Sequence, residues 1–94
     1  MKIDIQTTNT ELTASLEATI TAKLEKLQQF HSEILTAIVY LKEESSTQKE
    51  TQIKLLVKEN TLFSKAEEDK FEKSVDQAIE ALRRQLKKHK EKKK

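Results

Sequence analysis

The chain has 94 residues, enough for one small domain with a single hydrophobic core. It contains no cysteine, glycine or proline, which excludes disulfide frameworks, cysteine-ligated zinc sites and glycine-rich nucleotide-binding loops. The net charge is +2, but residues 83–94 carry eight basic residues and one acid, and this local +7 leaves −5 for residues 1–82. Basic charge concentrated at one end of a small domain is typical of nucleic-acid-binding proteins.

The first predicted elements are a strand and a helix. Apolar residues alternate with polar ones from Met1 to Ile5, which predicts a short strand that is buried on one face. Apolar residues then recur at helical spacing, at Leu16, Ile20, Leu24 and Leu27. This pattern predicts a helix over about residues 13–29, with Thr13 as its N-cap.

Three further strands are predicted in the middle of the chain. Residues 34–41 are apolar or β-branched at nearly every position, which favours a central strand. Residues 43–49 are polar and predict a hairpin loop, after which Ile53, Leu55 and Val57 alternate with polar residues. We expect a turn near Asn60, with a positive φ at that residue because Asn tolerates it best, and a fourth strand over residues 61–67.

The second predicted helix begins near Glu68 or Asp69 and completes the fold. Its apolar stripe consists of Phe71, Val75, Ile79, Leu82 and Leu86. The order β-α-β-β-β-α predicts an α+β two-layer sandwich, a four-stranded mixed sheet with both helices packed on one face. The first two strands should be parallel through a right-handed crossover and the others antiparallel. We expect one domain over residues 1–90 and a disordered basic tail over residues 91–94.

The basic residues fall into rows on the two helices. Arg83, Lys87 and Lys90 share one row of the second helix, and Arg84 and Lys88 share another, both away from the apolar stripe. Lys23 and Lys26 share a face of the first helix. If the helices lie side by side, these sets can converge on one surface that binds RNA phosphates. The candidate RNA-binding residues are Lys23, Lys26, Arg83, Arg84, Lys87, Lys88 and Lys90.

Other interpretations of the charge remain open. A helix dipole accounts for one or two C-terminal lysines but not for eight, and Lys23 and Lys26 alone could form a solvated face. The basic helix could instead dock an acidic protein or an anionic membrane surface, although no bulky apolar residue follows Leu86. Neither histidine has an acidic or metal-ligating partner at a recognisable spacing. We therefore expect no enzymatic activity, no metal and no cofactor.

Three stretches resemble a known family, the short-form ribosome hibernation promoting factors, which are related to the inhibitor called protein Y. Residues 20–30 resemble the family's first helix, residues 39–42 its second strand, and residues 82–90 its second-helix ending. One departure is visible. Residues 69–76 lack the tyrosine that usually opens the second helix. We also expect neither the dimerisation domain of the long forms nor the acidic tail of protein Y.

The resemblance implies a cytoplasmic translation inhibitor of stationary phase. Such a factor binds 16S rRNA of the small ribosomal subunit, covers the mRNA and tRNA sites, and does not bind membranes; we expect it to be monomeric off the ribosome. By position, the family's RNA contacts correspond to Lys23, Lys26, Arg84, Lys88 and Lys90. The roles of Arg83 and Lys87 rest on helical spacing alone.

Overall fold

The computed structural model describes the backbone of residues 1–92 and side chains as far as residue 89. Its elements are β1 (Lys2–Thr8), α1 (Ala14–Phe30), β2 (Ile34–Ser45), β3 (Gln48–Val57), β4 (Asn60–Glu68) and α2 (Phe71–Lys92). This order confirms the predicted β-α-β-β-β-α arrangement. The helix α2 includes residues 91 and 92, and residues 93 and 94 lie outside the described residues. The disordered tail expected over residues 91–94 stays a prediction.

The four strands form one mixed sheet in the order β1-β2-β3-β4. β1 and β2 are parallel, whereas β2, β3 and β4 are successively antiparallel. Parallel neighbours cannot be joined by a tight hairpin, so α1 makes the connection between β1 and β2. The apolar strand β2 is central, as its composition predicts, and shares that position with β3.

Both helices pack on one face of the sheet. Alternate strand residues such as Val39, Ile53 and Leu62 are buried against the apolar stripes of the two helices. The fully buried stripe residues include Ile20, Leu24, Leu82 and Leu86. The opposite face of the sheet is solvent-exposed and carries Tyr40, Lys54 and Phe63. The sequence prediction of a two-layer sandwich is confirmed.

The ends of α1 are capped by the residues around it. The hydroxyl of Thr13 accepts a hydrogen bond from the backbone N–H of Leu16 at 3.1 Å, which confirms Thr13 as the N-cap. At the other end, the N–H of His31 donates to the carbonyls of Leu27 and Gln28. These bonds satisfy helix-end groups that would otherwise lack partners.

Two polar contacts fix α2 on the sheet. The hydroxyls of Thr51 in β3 and Ser74 in α2 are buried and lie 2.7 Å apart. Farther along the helix, the side-chain amide of Gln85 donates to the carbonyl of Phe63 in the edge strand β4 at 2.8 Å. The strand β4 lies at the edge of the sheet and has no strand beyond it. The hydrogen bond from Gln85 therefore gives a partner to a carbonyl of this edge strand.

The first hairpin is tighter than the sequence predicts. A loop over residues 43–49 is wrong, because Ser46 and Thr47 alone separate β2 from β3. Glu43 pairs with Lys49 across the two strands, and their side chains form an ion pair at 3.5 Å. Polar residues here continue a ladder of cross-strand contacts, which local composition does not reveal.

The prediction of a positive φ at Asn60 is also wrong. Val57 pairs with Asn60, so the loop contains two residues, Lys58 and Glu59, and the positive φ of 72° falls on Glu59. Asn60 belongs to β4 and is therefore held in the sheet. The second helix begins at Phe71 rather than at residue 68 or 69, because Glu68 still belongs to β4 and pairs with Lys49.

Across residues 1–92, neither helix combines the length and the apolar content needed to cross a membrane.

Candidate nucleic-acid interface

The structure brings three of the candidate residues together between the helices. Lys23 and Lys26 of α1 line a groove with Arg83 of α2, which is completed by Asp76, Ile79 and Glu80. The groove forms because α1 and α2 lie side by side on the sheet, so that the flank of each helix faces the other. The two predicted sets of cations therefore meet at Arg83.

Two of these three cations are already paired with acids. The ammonium of Lys23 contacts the carboxylate of Asp76, and the guanidinium of Arg83 lies 3.1 Å from the carboxylate of Glu80. All four side chains are at least one third exposed. Exposed ion pairs contribute little free energy, because water screens them. Such pairs can exchange their carboxylate for an RNA phosphate.

A second group of cations lies on the flank of α2 that faces away from α1. Consecutive helical residues are about 100° apart, so Arg84 points away from the α1 groove that Arg83 lines. Arg84 instead lines a depression with Lys65 and Ala66 of β4, and Lys88 follows it one turn later. The predicted single surface is thus a ridge along α2 with cations on both sides.

Four candidate cations have no acidic partner within the part of the chain whose side chains are described. Among the side chains that the structure describes, no ion pair involves Lys26, Arg84, Lys87 or Lys88. The three α2 residues of this set are exposed. Unpaired, exposed cations at fixed helical positions are free to bind phosphates. The side chain of Lys90, the remaining candidate, lies outside the described part.

Two lysines of the exposed sheet face are paired with acids, whereas Lys54 on the same face has no ion pair among the described side chains. Lys65 lies 2.9 Å from Glu50, and Lys42 lies 3.3 Å from Glu44. The hydrogen bond from Lys65 is the main cause that lowers the pKa of the Glu50 carboxyl. Glu44, Glu50 and Glu67 are close enough to hold a metal ion, but two of the three acids are already matched by lysines.

Sequence reasoning missed three residues around the groove. Glu80 is three residues before Arg83, a helical spacing at which ion pairs form. This ion pair could therefore be predicted from the sequence. The contact between Lys23 and Asp76 joins two helices and needs the fold. Phe30 is the last residue of α1, and its 68% exposure is not evident from the apolar pattern.

The chain is similar to curated proteins over nearly its whole length. Residues 3–94 match the family described as Sigma 54 modulation protein / S30EA ribosomal protein. The ribosome hibernation promoting factors of Klebsiella oxytoca and Escherichia coli K12 are each 35% identical to it over 92 residues. Each match covers 98% of this chain and 96% of the relative.

Solved structures share the fold. A ribosomal subunit interface protein from Coxiella burnetii superposes with a TM-score of 0.88 at 23% identity, covering 96% of this chain and 98% of that one. The N-terminal domain of Thermus thermophilus Protein Y gives a TM-score of 0.86 at 21% identity, covering 95% and 99%. The family match and the curated relatives confirm the resemblance seen in the sequence: the chain belongs to the Sigma 54 modulation protein / S30EA ribosomal protein family.

Proposed function

We propose that this protein is a ribosome hibernation factor that inhibits translation by binding the small ribosomal subunit. Its curated relatives carry the name ribosome hibernation promoting factor. The observation that carries the proposal is a set of exposed cations on α2 that have no acidic partner among the described side chains. The helix that carries them is anchored through the buried Leu82 and Leu86. The proposed RNA-binding residues are Lys23, Lys26, Arg83, Arg84, Lys87, Lys88 and Lys90.

The mechanism is steric competition and needs no catalytic group. The folded domain fills the mRNA and tRNA channel of the small subunit, while its helices bind the phosphates of 16S rRNA. Arginine binds a phosphate through a planar fork of donors, and lysine binds it as a flexible point charge. Because both helices are packed on a sheet, the backbone that carries these cations is already ordered and loses little conformational entropy on binding.

The setting of the proposal is the cytoplasm of starved or stationary-phase cells, where idle ribosomes accumulate. Off the ribosome, the proposed state of the protein is a monomer. The exposed face of the sheet lies on the other side of the domain from the helices, so it remains turned away from the rRNA that the helices contact. This orientation gives the proposal a clear internal control.

Sedimentation with purified ribosomal subunits tests the proposal. We expect the protein to pellet with small subunits, to be displaced by mRNA and initiator tRNA, and to inhibit translation in a cell-free system. Replacing Lys23 and Lys26 by Glu should weaken all three effects, whereas Lys54→Glu on the exposed sheet face should weaken none. Failure to pellet with small subunits, or a loss confined to Lys54→Glu, would contradict the proposal.

A further inference from the structure

Phe30 is the most exposed of the large apolar residues described, at 68%. It is the last residue of α1 and does not belong to the stripe that packs on the sheet. Seven residues after Lys23, it lies almost directly above that lysine, since seven residues are close to two full turns. The aromatic ring therefore shares the face of α1 that carries the candidate RNA-binding lysines.

Cations from both helices surround this ring. One open groove is lined by Lys26 and Phe30 of α1, by His31 at the C-terminal end of α1, and by Arg83 of α2. Lys26 has no acidic partner among the described side chains, and the guanidinium of Arg83 has only an exposed pair with Glu80. Exposed aromatic rings flanked by lysine and arginine are what proteins use to bind single-stranded nucleic acid.

We propose that Phe30, Lys26 and Arg83 form a subsite for an unpaired RNA nucleotide. The base stacks on the ring of Phe30, and the adjoining phosphate lies between Lys26 and Arg83. A duplex hides the faces of its bases and offers only phosphates, sugars and groove edges. Phosphate binding alone would leave the exposed ring without a partner. This subsite rests on the proposed function for its ligand, rRNA, and adds that the nucleotide bound there is unpaired.

The positive flanks also favour RNA over a protein as the ligand of this ring. An apolar protein surface would have to cover Lys26 and Arg83 and remove their charges from water, which costs free energy unless acids pair with them. A nucleotide supplies a flat aromatic surface and an anionic group in one molecule. The two ligands require different side chains at position 30. A base needs the π face of an aromatic ring, whereas an apolar protein surface would also pack against leucine.

Equilibrium binding to fluorescein-labelled RNA tests the subsite. The probes are single-stranded hexamers of adenosine or uridine and a blunt duplex of the same strand length. Phe30→Leu should weaken hexamer binding about tenfold and leave duplex binding unchanged, because a stacked base contributes most of the difference. Phe30→Trp should restore or strengthen hexamer binding. Phe63→Leu removes another exposed ring, 51% exposed on the sheet face, and should change neither affinity.

Several outcomes would overturn the subsite. Full hexamer binding by Phe30→Leu, or equal losses on hexamer and duplex, would show that the ring does not stack on a base. Equal losses for Phe30→Leu and Phe63→Leu would show a general apolar effect. Thermal unfolding of each variant identifies any loss due to misfolding, and the Phe30→Trp variant tests stacking independently of the leucine result.

Small-subunit binding separates this inference from the proposed function. If Phe30→Leu binds small subunits fully while the Lys23→Glu, Lys26→Glu double variant does not, the subsite fails and the hibernation proposal stands. If both variants bind like the unaltered protein, the helix-face proposal fails as well. A subunit-binding defect of Phe30→Leu with intact hexamer binding would place a partner other than an unpaired base on the ring and overturn the inference.

Discussion

The two halves of α2 share one apolar stripe but carry their charges differently. In the first half, residues 71–82, Lys73 pairs with Asp69 at 3.3 Å and Asp76 pairs with Lys23 of α1. In the second half, residues 83–92, Arg84, Lys87 and Lys88 have no acidic partner among the side chains described. The stripe buries Val75 in the first half and Leu86 in the second equally well.

This difference distinguishes charges that pair within the fold from charges that are available to a binding partner. Like charges four residues apart, such as Arg84 and Lys88, destabilise a helix by about 0.2–0.5 kcal/mol per pair. The second half therefore carries a cost that its packing does not require. An anionic partner removes this cost, whereas Lys73 and Asp76 of the first half are already paired within the fold. The comparison indicates that the arrangement of charge, rather than the count of lysines, marks the binding region.

Truncating the anchor of the second half should have the largest effect. Leu86 is fully buried, so Leu86→Ala should lower the free energy of unfolding by about 2–5 kcal/mol. It should also weaken small-subunit binding, because the cations around it lose their fixed positions. Chemical denaturation measures the first effect. Leu35→Ala, at a 58% exposed residue, is the control and should change stability by about 0.5 kcal/mol or less.

The first half should depend instead on its buried hydroxyl pair. Ser74→Ala leaves the hydroxyl of Thr51 buried without this partner, which should cost about 1–3 kcal/mol. Adding Thr51→Val should recover part of that loss, since neither polar group then remains. A double-mutant cycle by denaturation measures the coupling. Additive losses would contradict the contact, and unchanged RNA affinity is expected throughout.

Removing an acid from the groove should strengthen RNA binding modestly. Asp76→Asn frees Lys23 and removes a negative charge near the proposed phosphates, so affinity should rise about two- to threefold, in keeping with an exposed ion pair. Asp69→Asn frees Lys73 in the same half, away from the groove, and should leave affinity unchanged. Titration of labelled RNA compares the two variants. Equal gains would mean that net charge alone sets the affinity.

The sheet-face pair should produce the smallest effect, visible as a pH dependence of stability. The pKa of the Glu50 carboxyl in the fold lies below the ordinary value of 4.5, chiefly because Lys65 donates a hydrogen bond to it. The ionised Glu50 therefore stabilises the fold above pH 4.5, and this contribution is lost as the pH falls through the lowered pKa. Lys65→Met should raise the pKa of Glu50 and lower the Tm at pH 7, with the difference narrowing in acid. Thermal unfolding between pH 7 and pH 3 measures this. A difference in Tm that is constant over that range would contradict the pairing.

The sequence predicted what depends on local periodicity. The apolar spacing from Leu16 to Leu27 identified α1, and the spacing from Phe71 to Leu86 identified α2. The alternation of Ile53, Leu55 and Val57 correctly placed their side chains on the buried face. The rows of cations on one helix also followed directly from the 3.6-residue turn.

Contacts between elements could not be predicted in this way. The tight hairpin at Ser46 and Thr47 depends on cross-strand pairing, and so does the placement of positive φ on Glu59. Within the candidate interface, the pairing of Lys23 with Asp76 requires two helices to lie side by side. The exposure of Phe30 likewise depends on where α1 ends on the sheet rather than on the residue type.

The most direct test of the account compares matched charge removals near the two ends of α2. One variant carries Arg84→Ala and Lys88→Ala, and the other carries Lys70→Ala, one residue before the helix, and Lys73→Ala in its first turn. Both lose two positive charges. Small-subunit affinity is measured for each at two salt concentrations, because each phosphate contact adds about one unit to the salt dependence.

The account predicts unequal losses. The Arg84, Lys88 variant should bind small subunits about ten- to a hundredfold more weakly, with a salt slope reduced by about two. The Lys70, Lys73 variant should bind within about threefold of the unaltered protein, as expected for exposed charges without a phosphate partner. Equal losses in the two variants would contradict the account, because the second half of α2 would then act only as part of the total charge.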